Sequence, residues 1–142
     1  MALIKWVDFP VIGDERGSLV ALEGSINIPF DIKRVYYLFG MQPDLPRGFH
    51  AHKELVQLAV CLKGRCDILM DDGKNKETVT LDSPEKGLMI DVMQWHEMRD
   101  FSEDCVLLVL ASDVYNEADY IRDYSKFLEE MKNEHTSNSD CF

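Results

Sequence analysis

RGFHAHKELVQLAVCLKG, residues 47–64, is the stretch whose reading decides the fold. It sets His50 and His52 two apart in what reads as a β-strand. Side chains at i and i+2 of a strand point to one face, so the two imidazoles share a pocket. The strand reads on through Val56, Leu58, Val60 and Leu62, with Gln57 among them, and breaks at Lys63 and Gly64. A polar pair is thus set into an apolar sheet.

Working outward, short runs rich in Val, Ile, Leu and aromatics recur between turn signals: IKWVDF, GSLVAL, IKRVYYLF, GFHAHK, VQLAVCL, RCDILM, ETVTL, GLMIDV and CVLLVLA. Regular short strands of this kind predict an all-β sandwich or barrel and not βαβ units. Asp71, Asp72 and Gly73 give the strongest hairpin signal, because Asp and Gly tolerate positive φ. One helix is predicted late, in NEADYIRDYSKFLEEMK (116–132), with Asn116 capping its first turn. Ile121, Tyr124, Phe127, Leu128 and Met131 form a stripe that packs on the outside of the β-structure. Residues 133–142 are polar and aperiodic and predict a disordered tail containing His135 and Cys141.

The chain has 142 residues, 46% hydrophobic and 29% charged, which suits one domain spanning 1–132. A net charge of −11 argues against nucleic acid and against an anionic membrane surface as partners. It leaves room for an anionic small ligand where arginines gather. Cys61, Cys66, Cys105 and Cys141 show neither a CxxC pair nor zinc spacing, and read as free thiols of a reducing cytoplasm. The N-terminal MALIKWVDFP has no apolar run long enough for a signal peptide, and no window reaches the length of a membrane span, so a cytoplasmic protein is predicted.

HxH, four residues, an acid position, six residues and a glycine form the first motif of the cupin superfamily, and His50, His52, Gln57 and Gly64 resemble it. In metal-binding cupins the acid position is Glu and a second motif adds a histidine, for which His96 is the candidate. Gln57 is neutral, and a neutral amide compensates a divalent ion poorly. Without a metal, the imidazoles are free to carry protons, since their unperturbed pKa lies near neutrality.

The blocks GDERGSLVALE, KRVYYLFG, RGFHAHK, WHEMRDFSEDCVLLVLAS and YNEADYIRDYSKFL resemble, in order over residues 5–128, the sugar-nucleotide 3,4-ketoisomerase family. These are cupins acting on dTDP-4-keto-6-deoxyglucose. The resemblance implies a cupin jelly-roll barrel (a double-stranded β-helix) with a C-terminal α-helix, a homodimer, and transfer of the keto group from C4 to C3 without metal or organic cofactor. It implies His50 and His52 as the catalytic acid and base, and Tyr36 and Arg47 as donors to the developing oxyanion. Arg16 and His96 are two further pocket positions, and together they suggest the galacto product. Tyr37 points away from Tyr36 in a regular strand, so one of the two is expected in the core, and Tyr36 is preferred for the pocket. One departure is Asp91, Val92 and Met93, where the family pattern has proline in the loop before Trp95.

Three rivals follow from the same residues. A metal-dependent cupin would use His50, His52 and His96. A sugar-nucleotide epimerase also needs a histidine base in a β-barrel. A non-catalytic sugar-binding module would keep the barrel without the chemistry, though it has no need of a buried base.

Overall fold

The structure is a computed structural model that describes residues 2–140, with side chains to 133. Among the described residues there are twelve strands: β1 Trp6–Asp8, β2 Ile12–Asp14, β3 Gly17–Leu19, β4 Arg34–Leu38, β5 Arg47–His52 and β6 Gln57–Lys63, then β7 Cys66–Asp71, β8 Lys76–Leu81, β9 Lys86–Ile90, β10 Trp95–Arg99, β11 Val106–Ala111 and β12 Tyr120–Ile121. A 3₁₀ turn, Glu117–Asp119, precedes β12, and the helix α1 is Tyr124–Asp140.

Two five-stranded sheets, β1-β9-β6-β11-β4 and β12-β5-β10-β7-β8, carry antiparallel pairings throughout, and β2-β3 form a separate hairpin. The main core lies between the sheets, where Ala59 and Cys61 of β6 and Leu107 and Val109 of β11 meet Ile68, Met70 and Met98 of the opposite sheet. This is the predicted cupin jelly roll. Alternation explains the layers. Leu58, Val60 and Leu110 face outward and are covered by Phe9, Ile28 and the segment around Phe30, so β6 is buried on both faces. Ala51 and Trp95 face outward from the second sheet and are covered by Ile121 and Phe127, which puts the helical stripe on the outside of the barrel as expected.

Three expectations need correction. Residues 47–64 do not make one strand: the chain leaves β5 after His52 and re-enters as β6 in the opposite sheet. The predicted helix over 116–132 starts only at Tyr124, because Tyr120 and Ile121 pair with His52 and Ala51 at the edge of β5. Asn116 caps the 3₁₀ turn by accepting from the Ala118 N–H. At its other end the backbone of α1 runs through Asp140; once a helix is nucleated, each added residue brings its own hydrogen bond. Tyr37 is not core: at 63% exposed it lies on the outer face of β4 with Val35 and Phe39. Strand β10 escapes a sequence reading because WHEMR looks polar, although its inward residues, His96 and Met98, are both buried. The Asp71–Gly73 hairpin joins β7 to β8 as predicted, with Gly73 at φ 92°. Cys61, Cys66 and Cys105 are buried free thiols, and Cys141 lies outside the described residues.

Candidate active site

The site grows from the edge of β5. Opposite β10, His50 pairs with His96 and Gly48 with Glu97, so Phe49 is an extra residue that bulges out of the ladder. Both Gly48 (φ 91°) and Phe49 (φ 62°) have positive φ. A Cβ on Gly48 would stand 2.9 Å from the His96 carbonyl oxygen, so glycine is required there. The bulge re-aims the strand. Arg47 and His50 consequently both line one cavity of about 730 Å³, together with Arg34, Tyr36, Tyr120 and Arg122.

Three imidazoles converge where His50 lines it, with His52 and His96 packed against His50. The His50 ring centroid lies 5.0 Å from that of His52 and 4.6 Å from that of His96. His52 and His96 are each 1% exposed. The Nδ1–H of His50 donates to the Gly48 carbonyl at 3.1 Å and that of His96 to the Gln94 carbonyl at 3.2 Å. A carbonyl only accepts, so both rings carry their proton on Nδ1 and keep a lone pair on Nε2. Burial, then the neighbouring His52, pushes His50 down to about 4. Burial, then His50, pushes His96 down to about 3. Burial also lowers His52, opposed by the Asp119 carboxylate. All three are therefore neutral at neutral pH, the form in which an imidazole accepts a proton.

Gln57, also 1% exposed, donates from Nε2 to the Tyr36 hydroxyl oxygen at 2.7 Å. That hydroxyl accepts from the amide, so its own proton stays free to point into the cavity. Burial, with Tyr120 nearby, holds the Tyr36 phenol above its ordinary range and keeps it a donor. Among the described residues no group of three or more His, Cys, Asp or Glu is arranged to hold a metal ion.

Of the sequence candidates, His50, Tyr36 and Arg47 line the main cavity, and His52 and His96 sit against His50. Arg16 does not join them: its side chain is 86% exposed on the β2–β3 hairpin, paired to Asp14 at 2.5 Å. Sequence reasoning missed Arg34, Asp119, Tyr120 and Arg122. Arg34 stands two before Tyr36 on β4 and shares its face, a signal that alternation offers; its guanidinium lies 4.5 Å from the Tyr36 ring centroid. Tyr120 and Arg122 flank Ile121 with a period of two, a strand pattern hidden inside the expected helix. The Tyr120 ring lies 4.3 Å from that of His52 and 4.2 Å from the Arg122 guanidinium.

Comparison with known proteins agrees with this geometry. The family model FdtA (WxcM-like, C-terminal) matches residues 2–132. A TDP-4-oxo-6-deoxy-alpha-D-glucose-3,4-oxoisomerase from Aneurinibacillus thermoaerophilus is 57% identical over 123 residues, 87% of this chain and 88% of that protein. A 3,4-ketoisomerase from Helicobacter canadensis superposes with a TM-score of 0.88 at 50% identity, covering 91% of this chain and 97% of the other. A variant of the 3,4-ketoisomerase QdtA from Thermoanaerobacterium thermosaccharolyticum, in complex with TDP-4-keto-6-deoxyglucose, superposes with a TM-score of 0.91 at 43% identity, covering 94% and 96%. A match over nearly the whole length, on a barrel whose histidines converge as the motif requires, means that the chain belongs to the FdtA family, the sugar-nucleotide 3,4-ketoisomerases.

Proposed function

We propose that this enzyme moves the keto group of TDP-4-keto-6-deoxyglucose from C4 to C3, with His50 and His52 as acid and base. The reading is supported by its relatives and carried by one observation: a cavity ringed by Arg34, Arg47 and Arg122 is lined by the neutral imidazole of His50, with that of His52 5.0 Å from it, in a chain of net charge −11. Arginines concentrated in one cleft of an acidic protein suit the diphosphate of a sugar nucleotide. An imidazole Nε2 takes the proton from C3, which the adjacent C4 ketone acidifies, giving an enediolate. The Tyr36 hydroxyl and Arg47 stabilise its oxygen charge. Return of a proton to C4, loss of the O3 proton and protonation of O4 complete the 3-keto sugar. The sugar is neither oxidised nor reduced overall, so the balance calls for no redox cofactor, and no metal takes part in this reading.

The galacto product is the stereochemistry we infer, from the resemblance at Arg16 and His96; a gluco product by NMR would overturn it. We infer a homodimer in which the β2–β3 hairpin, outside both sheets, makes contacts with the second copy; this would account for Arg16 lying away from its own chain's cavity. Among the described residues no helix is long and apolar enough to cross a membrane, and three free thiols suit the cytoplasm.

The test separates binding from turnover. His50→Asn and His52→Asn should each bind TDP within a few-fold of the unaltered protein by calorimetry, while turnover falls by about 100-fold or more. Undiminished turnover in either variant would remove that histidine from the mechanism.

A further inference from the structure

A second cavity of about 240 Å³ adjoins the first and shares Arg34 and Tyr120 with it; its wall includes His52 and Asp119. His52 Nδ1 lies 3.3 Å from Asp119 Oδ2, and the carboxylate side chain is only 12% exposed. The contact is at ion-pair distance without full hydrogen-bond geometry, and both ring nitrogens of His52 are buried without a hydrogen-bonding partner. Asp119 is itself firmly held. It accepts from the backbone N–H groups of Glu54 at 2.8 Å and Leu55 at 3.2 Å, and its carbonyl accepts from the Lys53 N–H at 3.0 Å. The turn that follows His52 is thereby fastened to the carboxylate that faces its ring.

His52 differs in this from its neighbours. His50 and His96 direct Nδ1 at backbone carbonyls, which fix a tautomer but carry no charge. Among the described residues, His52 is the histidine at ion-pair distance from a carboxylate. The groups that face it are His50 on its own strand, His96 on β10, Asp119 on the 3₁₀ turn, Tyr120 on β12, Arg34 on β4 and Arg122 beyond β12. Both arginines oppose a positive charge on His52, and Asp119 supports one.

We propose that Asp119 is a positioning residue for the isomerisation: it holds the proton of His52 on Nδ1, presents the buried, unpartnered Nε2 to the sugar, and stabilises the imidazolium formed when Nε2 takes a proton. The proposal rests on the reading of His52 as a catalytic group. A carboxylate behind an imidazole strengthens it as a base and fixes the nitrogen that reacts. The short ADYIR segment thus delivers both Asp119 and Tyr120 to His52.

Asp119→Asn tests this, because the amide oxygen can still accept from the Glu54 N–H, the shorter of the two backbone contacts, while the charge and the acceptor facing Leu55 are lost. With TDP-4-keto-6-deoxyglucose as substrate, the variant should lose about tenfold or more in kcat with KM within about twofold. The acid limb of its kcat/KM profile should move to lower pH, since His52 loses the group that favours its charged form. A merely structural role would leave that limb in place. An unchanged kcat and acid limb would overturn the proposal. Should the variant not fold, ¹⁵N NMR of the histidines in the unaltered protein decides: His52 as the Nδ1–H tautomer supports the proposal, and the Nε2–H tautomer overturns it. Absence of turnover by the unaltered protein would instead defeat the ketoisomerase reading, while the tautomer measurement would still report on Asp119.

Discussion

Gln57 is the residue on which the chemistry turns. Position 57 in the HxH motif is where a metal-binding cupin places a carboxylate, and here the side chain is an amide committed to the Tyr36 hydroxyl at 2.7 Å. A glutamate there would accept from the phenol and draw its proton away from the cavity. Gln57→Glu is therefore expected to leave the fold intact and to lower turnover by about tenfold or more, an oxyanion donor having been lost; a steady-state assay checks this, and full activity would show that the Tyr36 proton is not used. His50, His52 and Tyr36 were legible in the sequence because motif spacing and strand alternation need only local geometry. The direction of Arg16 is not legible for the opposite reason: which way a turn residue points depends on packing that a sequence does not carry, and its side chain lies exposed on the β2–β3 hairpin.

Among the elements, the predicted strands were recovered where apolar alternation was strong, as in β6 and β11, whose buried runs line both sides of the first sheet. Segment 116–123 was misread because Ile121, Tyr124 and Phe127 satisfy helical spacing whether or not the first of them lies in a helix. Pairing with β5 overrides the helical propensity, and this tertiary choice brings Asp119, Tyr120 and Arg122 to the site. Two other elements remain uncovered. The β2–β3 hairpin exposes Ile12 and Leu19, and the edge strand β4 exposes Val35, Tyr37 and, just beyond its end, Phe39. An exposed apolar edge of this kind invites pairing with a second copy. Light scattering on a sizing column should give twice the chain mass, whereas a concentration-independent monomer would refute the homodimer.

At the scale of the whole molecule, function is stored as depressed histidine basicity. His50 and His96 are lowered from 6.5 to about 4 and about 3, so the unfolded chain binds protons more tightly than the folded one. Stability is full above about pH 6.5 and is lost as pH falls through the window from 6.5 toward those folded values. Glu117, held down to about 2 by its hydrogen bond from Arg122, contributes loss only below the ordinary carboxylate range. Calorimetric melting at pH 7.5, 6 and 5 should show a falling Tm; a constant Tm would mean that these imidazoles are not buried as neutral groups.

The central claim is that the barrel isomerises a 4-keto sugar by moving protons between its imidazoles and C3 and C4. The purified protein, incubated with TDP-4-keto-6-deoxyglucose in deuterated water, should convert it to the 3-keto sugar, followed by ¹H NMR. The new C4 proton should appear in the galacto configuration, and its signal should be diminished to the extent that the transferred proton exchanges with solvent. An unchanged 4-keto spectrum, or exchange at ring carbons without movement of the ketone, would contradict the account.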